Sequence, residues 1–298
     1  MELTGVVLAG GASERFGSDK LRFPVDGRSM LAHVVEVMRE VAEEVVVSVR
    51  DPRTPGRLEK SLPSRVRWVP DRTDLAGAGP GAGMLTALVG ADSRELLFLP
   101  GDMPWVEAEA LRELLRRAKA GRASSVAPIR PDGFTEPLVQ WQRVGPWKER
   151  LALLRTRRDP GVRPTDLLRG GRRVLLLPVG RLSKDPRCFV NVNTTSELAG
   201  RPAPPRGAAR DRPTFRSRQA GRAFWAAVSA SCRSDAAAAF RYYQEEARLH
   251  ADSGLAHLRV HALEDALRSA REAGLPADGV ERRLIVANRA LHARSSAT

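Results

Sequence analysis

Up to about Leu198, short apolar runs of strand length alternate with stretches in which apolar residues return every three or four positions. The runs at Gly5–Ala9, Glu44–Val49, Val66–Val69, Leu96–Leu99, Ser124–Pro128, Pro137–Trp141, Arg173–Leu177 and Phe189–Val192 predict strands. Met30–Val41, Gly83–Val89, Ala108–Ala118 and Pro146–Leu154 predict helices. Within Ala108–Ala118, Leu111, Leu114, Leu115 and Ala118 share one face, with arginines opposite, so those leucines belong to a core. The alternation predicts an α/β fold with a Rossmann-like, mostly parallel sheet covered by helices.

The pattern changes past residue 200. Gly200-Arg201-Pro202-Ala203-Pro204-Pro205-Arg206-Gly207 carries prolines at a density that breaks helices and strands alike. Beyond it β-branched residues thin out, and helices are predicted at Ser217–Ser231, Asp235–Ala251, Gly254–Ala273 and Ala277–Ala293. The chain thus divides into an α/β domain over 1–201, a proline-rich linker over 202–212 and a small all-α domain over 213–298. A simple helical bundle describes that last part better than a peptide-binding repeat, because one imperfect hairpin is not an array. His250, His257, His261 and His292 read as solvated or core residues, since no H-E-x-x-H pattern accompanies the i, i+4 pair His257 and His261.

Composition narrows the function. The chain has 298 residues, 42% of them hydrophobic, enough for one large core or a medium and a small one. Nothing approaches the roughly 18 consecutive apolar residues of a membrane span. Glu2 leads at once into the first strand, leaving no room for a signal peptide, so a cytoplasmic location is expected. Cys188 and Cys232 are too far apart in sequence to suggest a disulfide framework or a thiolate metal site. The formal net charge of +14 raises nucleic-acid binding as a hypothesis. Yet the basic residues are scattered, and an aromatic content of 5% is low for a base-stacking surface. Specific nucleic-acid binding is therefore not expected, and the charge suits an enzyme whose substrates are anionic.

The chemistry concentrates at the start. An apolar run from Leu3 to Val7 feeds Leu8-Ala9-Gly10-Gly11-Ala12-Ser13-Glu14-Arg15-Phe16-Gly17-Ser18-Asp19-Lys20. Glycines let backbone N–H groups approach phosphate oxygens, and Arg15 and Lys20 neutralise their charge. That combination asks for a nucleoside triphosphate. Neither the dinucleotide spacing G-x-G-x-x-G nor the P-loop spacing G-x-x-x-x-G-K-[ST] is present. The run resembles instead the nucleotide-binding loop of the nucleotidyltransferases that include the molybdenum cofactor guanylyltransferases.

Four further segments carry the resemblance, which covers residues 3 to about 198 and implies nothing for the helical tail. Val69-Pro70-Asp71 precedes Gly79-Pro80-Gly81-Ala82-Gly83-Met84-Leu85, a glycine-rich turn opening a helix whose N–H groups would face a ligand. The family places a nucleotide contact at the Asp71 position; on local sequence alone Asp71 is as readily a turn cap. Leu96-Leu97-Phe98-Leu99-Pro100-Gly101-Asp102 is a buried strand delivering a carboxylate, the ligand type Mg²⁺ prefers. Thr135-Glu136-Pro137-Leu138 matches a turn where the acceptor approaches, or is a plain loop. Phe189-Val190-Asn191-Val192-Asn193-Thr194-Thr195-Ser196-Glu197-Leu198 reads as a strand projecting Asn191 and Asn193 from one face, then a helix capped by Thr194 or Thr195 with Glu197. Its asparagines favour guanine over cytosine chemistry, because the related cytidylyltransferases tend to carry aspartates there. Ser48, Gly81 and Thr195 depart from the family pattern, where Asn, Leu or Ile, and Pro are usual.

The resemblance implies a Mg²⁺-dependent transfer of GMP from GTP to a molybdopterin-type acceptor with release of pyrophosphate. Its nucleotide-binding positions are Leu8, Ala9, Gly10, Gly11, Ser13, Arg15, Lys20, Ser48, Asp71, Gly79 and Asp102. Arg15, Lys20 and Asp102 are catalytic, Asp102 is the metal ligand, and Glu136, Asn191 and Asn193 face the acceptor. The attacking phosphate is already ionised, so no general base is needed. Two rivals share the fold: cytidylyl transfer to the same pterin, and guanylyl or uridylyl transfer to another phosphorylated acceptor. A nucleotide-sensing or nucleic-acid-binding protein is the rival of another class. The amphipathic tail is a candidate for self-association or for docking a cofactor-delivery protein.

Overall fold

Strand β1 (Leu3–Leu8) is buried along its whole length, and its alternate side chains enter two different hydrophobic clusters. The computed structural model describes residues 2–10, 20–62, 65–72, 79–155, 161–185, 187–194, 197 and 212–292. A short hairpin of β2 (Pro24–Val25) and β3 (Arg28–Ser29) turns through Asp26 and Gly27, both at positive φ, the backbone a two-residue hairpin turn requires. Ser29 then caps α1 (Met30–Arg39), its hydroxyl accepting from the Ala32 N–H at 3.1 Å. There follow β4 (Glu44–Val49), α2 (Thr54–Leu58), β5 (Arg67–Pro70), α3 (Pro80–Val89), β6 (Glu95–Pro100), α4 (Ala108–Ala120) and β7 (Ser125–Ile129). Next come β8 (Gln140–Arg143), α5 (Leu151–Arg155), α6 (Pro164–Gly170), β9 (Val174–Pro178) and β10 (Thr214–Phe215). Four helices close the described chain: α7 (Arg218–Cys232), α8 (Ala236–Asp252), α9 (Ala256–Glu272) and α10 (Asp278–His292).

Eight strands form one sheet in the order β10-β9-β7-β8-β6-β1-β4-β5. The pairs of β1 with β4 and β6, of β4 with β5, and of β7 with β9 are parallel. Strand β8 runs antiparallel between β6 and β7, and β10 antiparallel to β9. The expected α/β class, mostly parallel sheet and helical C-terminal region are all present. Three local expectations need correction. Phe189–Val192 is not a strand; Phe189 and Val192 are buried in separate clusters, so packing rather than sheet pairing accounts for their apolar character. The helix expected at Pro146–Leu154 splits into a 3₁₀ turn, Gly145–Trp147, and α5. There the Trp147 ring is buried and its Nε1 donates to Gln142 Oε1 at 3.0 Å, anchoring that turn to β8. Finally, α2, α6, β2, β3 and β10 have no counterpart among the expected elements.

The sheet's two faces follow the period-two alternation of its strands. Val7, Val47, Leu97 and Leu99 pack against α1 and α4, while Val6, Val46, Leu96 and Phe98 face α3 and the C-terminal helices. Phe224, Tyr243 and Leu263 of those helices belong to the same cluster as Val6 and Phe98. Charge is buried at this junction as well. Arg169 of α6 is fully buried, binding Glu246 of α8 through two bonds of 2.8 and 2.7 Å, Asp265 of α9 at 2.7 Å and Asp166 at 2.9 Å. A cation at this depth needs such a set of acceptors. The proline-rich linker expected over 202–212 lies, except for its last residue, outside the described residues.

Candidate active site

The carboxyl ends of β1, β4, β5 and β6 are stitched together just beyond the ladder. Ala9 N–H donates to Ser48 O at 2.8 Å, Gly101 N–H to Leu8 O at 3.0 Å and Asp71 N–H to Val49 O at 2.8 Å. These bonds bring three separate turns to one place. Between them lies a cleft of about 230 Å³, open to solvent, a little under the roughly 300–1,000 Å³ usual for small-molecule sites.

One side of the cleft is ionic. Lys20 begins a short 3₁₀ turn and reaches across to Asp102 Oδ2 at 2.7 Å and Asn193 Oδ1 at 3.1 Å. Asp102 follows β6, and its backbone carbonyl accepts from the Val192 N–H at 2.9 Å, which fastens the asparagine segment beside it. Thr194 is the capping residue of that segment: Glu197 N–H donates to its Oγ1 at 3.4 Å, and the Glu197 carboxylate accepts from the Asn193 and Thr194 N–H groups.

The other side is a polar pair resting on a helix. Ser48 Oγ donates to Asp71 Oδ1 at 2.6 Å. Burial holds the Asp71 carboxyl above its ordinary value, opposed by that hydrogen bond and by the Arg50 charge. Helix α3 comes down on this pair at Gly83, where a Cβ would sit 2.7 Å from Ser48 Oγ and 3.0 Å from Asp71 Oδ1. Only glycine permits that approach. Gly79, at φ +121°, turns the chain into α3 and sets Pro80 on the rim of the cleft.

Of the expected nucleotide positions, Leu8, Ala9, Gly10, Lys20, Ser48, Asp71 and Asp102 line the cleft, and Gly79 adjoins it through Pro80. Gly11, Ser13 and Arg15 lie outside the described residues. On the acceptor side, Asn193 lines the cleft and the other two expected positions do not. Asn191 does not line it; without a strand the two asparagines do not share a face, and Asn191 Oδ1 is buried. Glu136 is also turned away: its carboxylate is buried 3.5 Å from the Arg130 guanidinium, with a pKa pushed up to about 7 by burial. Leu138, two residues on, reaches the cleft instead. Leu21, Gly83 and Pro100 line the cleft as well; Gly83 and Pro100 fall inside the glycine-rich turn and the strand-end segment singled out in the sequence, and Leu21 carried no signal of its own.

A divalent cation fits the ionic side. Among the described residues, Asp102 Oδ1 is buried and accepts no hydrogen bond, although Oδ2 holds Lys20. A hard carboxylate oxygen left over in this way suits Mg²⁺, which takes one or two carboxylates together with substrate phosphates. Among the described residues there is no cluster of three or more His, Cys, Asp or Glu that could hold a metal by itself.

A cleft at the carboxyl ends of parallel strands, closed by a glycine turn, a lysine and an aspartate, marks an α/β protein of the nucleotidyltransferase class. Residues 5–174 match the MobA-like NTP transferase domain, and the chain belongs to that family. It is 39% identical over 141 residues to a protein of Opitutus terrae named probable molybdenum cofactor guanylyltransferase, a match covering 46% of this chain and 64% of that relative, under two thirds of its length. A Bacillus subtilis protein of the same name is 30% identical over 201 residues, covering 67% of this chain and 94% of the relative. Among solved structures, molybdopterin-guanine dinucleotide biosynthesis protein A from Archaeoglobus fulgidus superposes with a TM-score of 0.54 at 22% identity, over 66% of this chain and 95% of that one, which shows the shared fold. No helix among the described residues is long and apolar enough to cross a membrane.

Proposed function

We propose that the protein is a guanylyltransferase that moves GMP from GTP to the terminal phosphate of a molybdopterin-type acceptor and releases pyrophosphate. The observation that carries this reading is the Lys20–Asp102–Asn193 cluster at the end of β6, in a chain related to two proteins named for this activity. Gly10 would bring its backbone close to the triphosphate, and Lys20 would leave Asp102 to neutralise charge on the departing pyrophosphate. Asp102 is the residue to hold Mg²⁺, which supplies charge neutralisation and alignment for in-line displacement. Ser48 and Asp71 offer a donor and acceptors to the nucleotide from the opposite side. The acceptor phosphate is ionised at neutral pH, so positioning and electrostatics account for the catalysis.

The test is Mg²⁺-dependent release of pyrophosphate from GTP with molybdopterin supplied, alongside thermal stabilisation by GTP, CTP, UTP and ATP. A ligand at 100 times its Kd adds roughly 2.7 kcal/mol of stability, a readable shift. Stabilisation by GTP together with acceptor-dependent release supports the proposal. A CTP preference would move the protein to the cytidylyl branch, and binding without release with any acceptor would make it a sensor.

A further inference from the structure

Two walls of the cleft are linked to one helix of the C-terminal region, one directly and one through Arg163. The first wall is the opening of α3, which carries Pro80 and Gly83. It is packed so closely on Val162 and Arg163 that a Cβ on Gly81 would overlap the Val162 carbonyl. Arg163 is in turn clamped by α9: Nη1 donates to Glu264 Oε2 at 2.7 Å, and Nη2 to Asp265 Oδ2 at 2.6 Å and the His261 carbonyl at 3.4 Å. The second wall is the turn ending in Leu138. Its Thr135 carbonyl and hydroxyl lie 3.2 and 3.0 Å from His257 Nδ1 at the start of α9, and the Phe134 ring stacks on the imidazole with centroids 4.0 Å apart. A carbonyl can only accept, so Nδ1 carries the proton. Gln140 joins the two walls behind the cleft, donating to Pro137 O at 2.5 Å and Pro164 O at 2.8 Å.

We propose that α9 is a brace that sets the width of the cleft, with His257 positioning the turn that carries Leu138 and Glu264 and Asp265 positioning α3 through Arg163. His257, Glu264 and Asp265 lie beyond the stretch that matches the family, so this control belongs to the appended helices. The His257 arm is buried and ends on Thr135, three residues before Leu138; the Arg163 arm is partly buried and ends on Gly81, which adjoins Pro80. A brace of this kind affects substrate positioning and leaves the charged groups that act on phosphate where they are.

The kinetic arm of the test rests on the guanylyltransferase reading; the amide-exchange arm does not. In the full chain, His257→Leu removes the donor to Thr135, His257→Asn keeps a donor near the Nδ1 position, and Arg163→Lys keeps the charge but cannot bridge two carboxylates. Amide exchange over 133–139 is expected to quicken about tenfold in His257→Leu, the factor one hydrogen bond of ~1.4 kcal/mol accounts for, and to return towards wild type in His257→Asn. Arg163→Lys is expected to do the same over 81–84. In turnover, KM should rise about tenfold in both loosened variants while kcat changes much less. Wild-type exchange in these segments, or acceleration spread evenly over the sheet, would overturn the brace, as would a loss confined to kcat. If the wild-type chain released no pyrophosphate but the exchange pattern held, the functional reading would fail and the brace would stand.

Discussion

At the scale of single residues, the cleft depends on pairs whose members are distant in sequence. Lys20 and Asp102 meet at 2.7 Å from positions 82 residues apart. Replacing either with alanine removes charge stabilisation and is expected to lower turnover on the order of 10²-fold or more, with the fold intact by circular dichroism. Near wild-type turnover in Asp102→Ala would remove its metal role. Glu136 makes a different point. Its buried carboxyl has a folded pKa near 7, above its unfolded value of 4.5, so its contribution to stability is present at low pH and is lost as pH rises through 7. Urea unfolding at pH 5 and pH 8 should show a fall in stability for the wild type, on the order of 2 kcal/mol from this group, that Glu136→Gln lacks. Lys20 and Asp102 were legible in sequence because spacing tied them to a glycine turn and a strand end. The direction of Glu136 was not, because the bond from its own N–H to Pro128 O, and burial beside Arg130, turn it inward.

At the scale of elements, most boundaries could be read from periodicity, and the errors have local causes. Strand β4 spans Glu44–Val49 as expected, because a β-branched run between charged residues leaves little choice. The Phe189 segment has the same apolar texture, yet its hydrogen bonds go to turns and to the Asp102 carbonyl. Apolar runs report burial, and burial does not require a strand. Helix α3 is the element on which the polar side of the cleft rests. Gly83→Ala forces a methyl group against Ser48 and Asp71, a misfit of about 1–3 kcal/mol, and calorimetric titration should find nucleotide binding weaker by about tenfold or more. An unchanged Kd would mean that the Ser48–Asp71 pair does not face the nucleotide.

At the scale of the whole molecule, the appended helices and the sheet share one hydrophobic cluster, so heating should give a single calorimetric transition. Phe224→Ala, which empties a fully buried position between α7 and the sheet side of that cluster, should cost about 3–5 kcal/mol and lower the common Tm. A second, separate transition would contradict this. The sequence by itself determined the α/β class, the four helices after residue 213 and the identity of the charged groups, because periodicity and motif spacing are local properties of a chain. The tertiary structure alone decided that β8 enters the sheet antiparallel, that Asn193 rather than Asn191 reaches Lys20, and that α9 holds one wall of the cleft directly and the other through Arg163. Those outcomes depend on contacts between residues far apart along the chain, whose partners are chosen by shape and by the need to satisfy buried polar groups, and neither is written in any one segment.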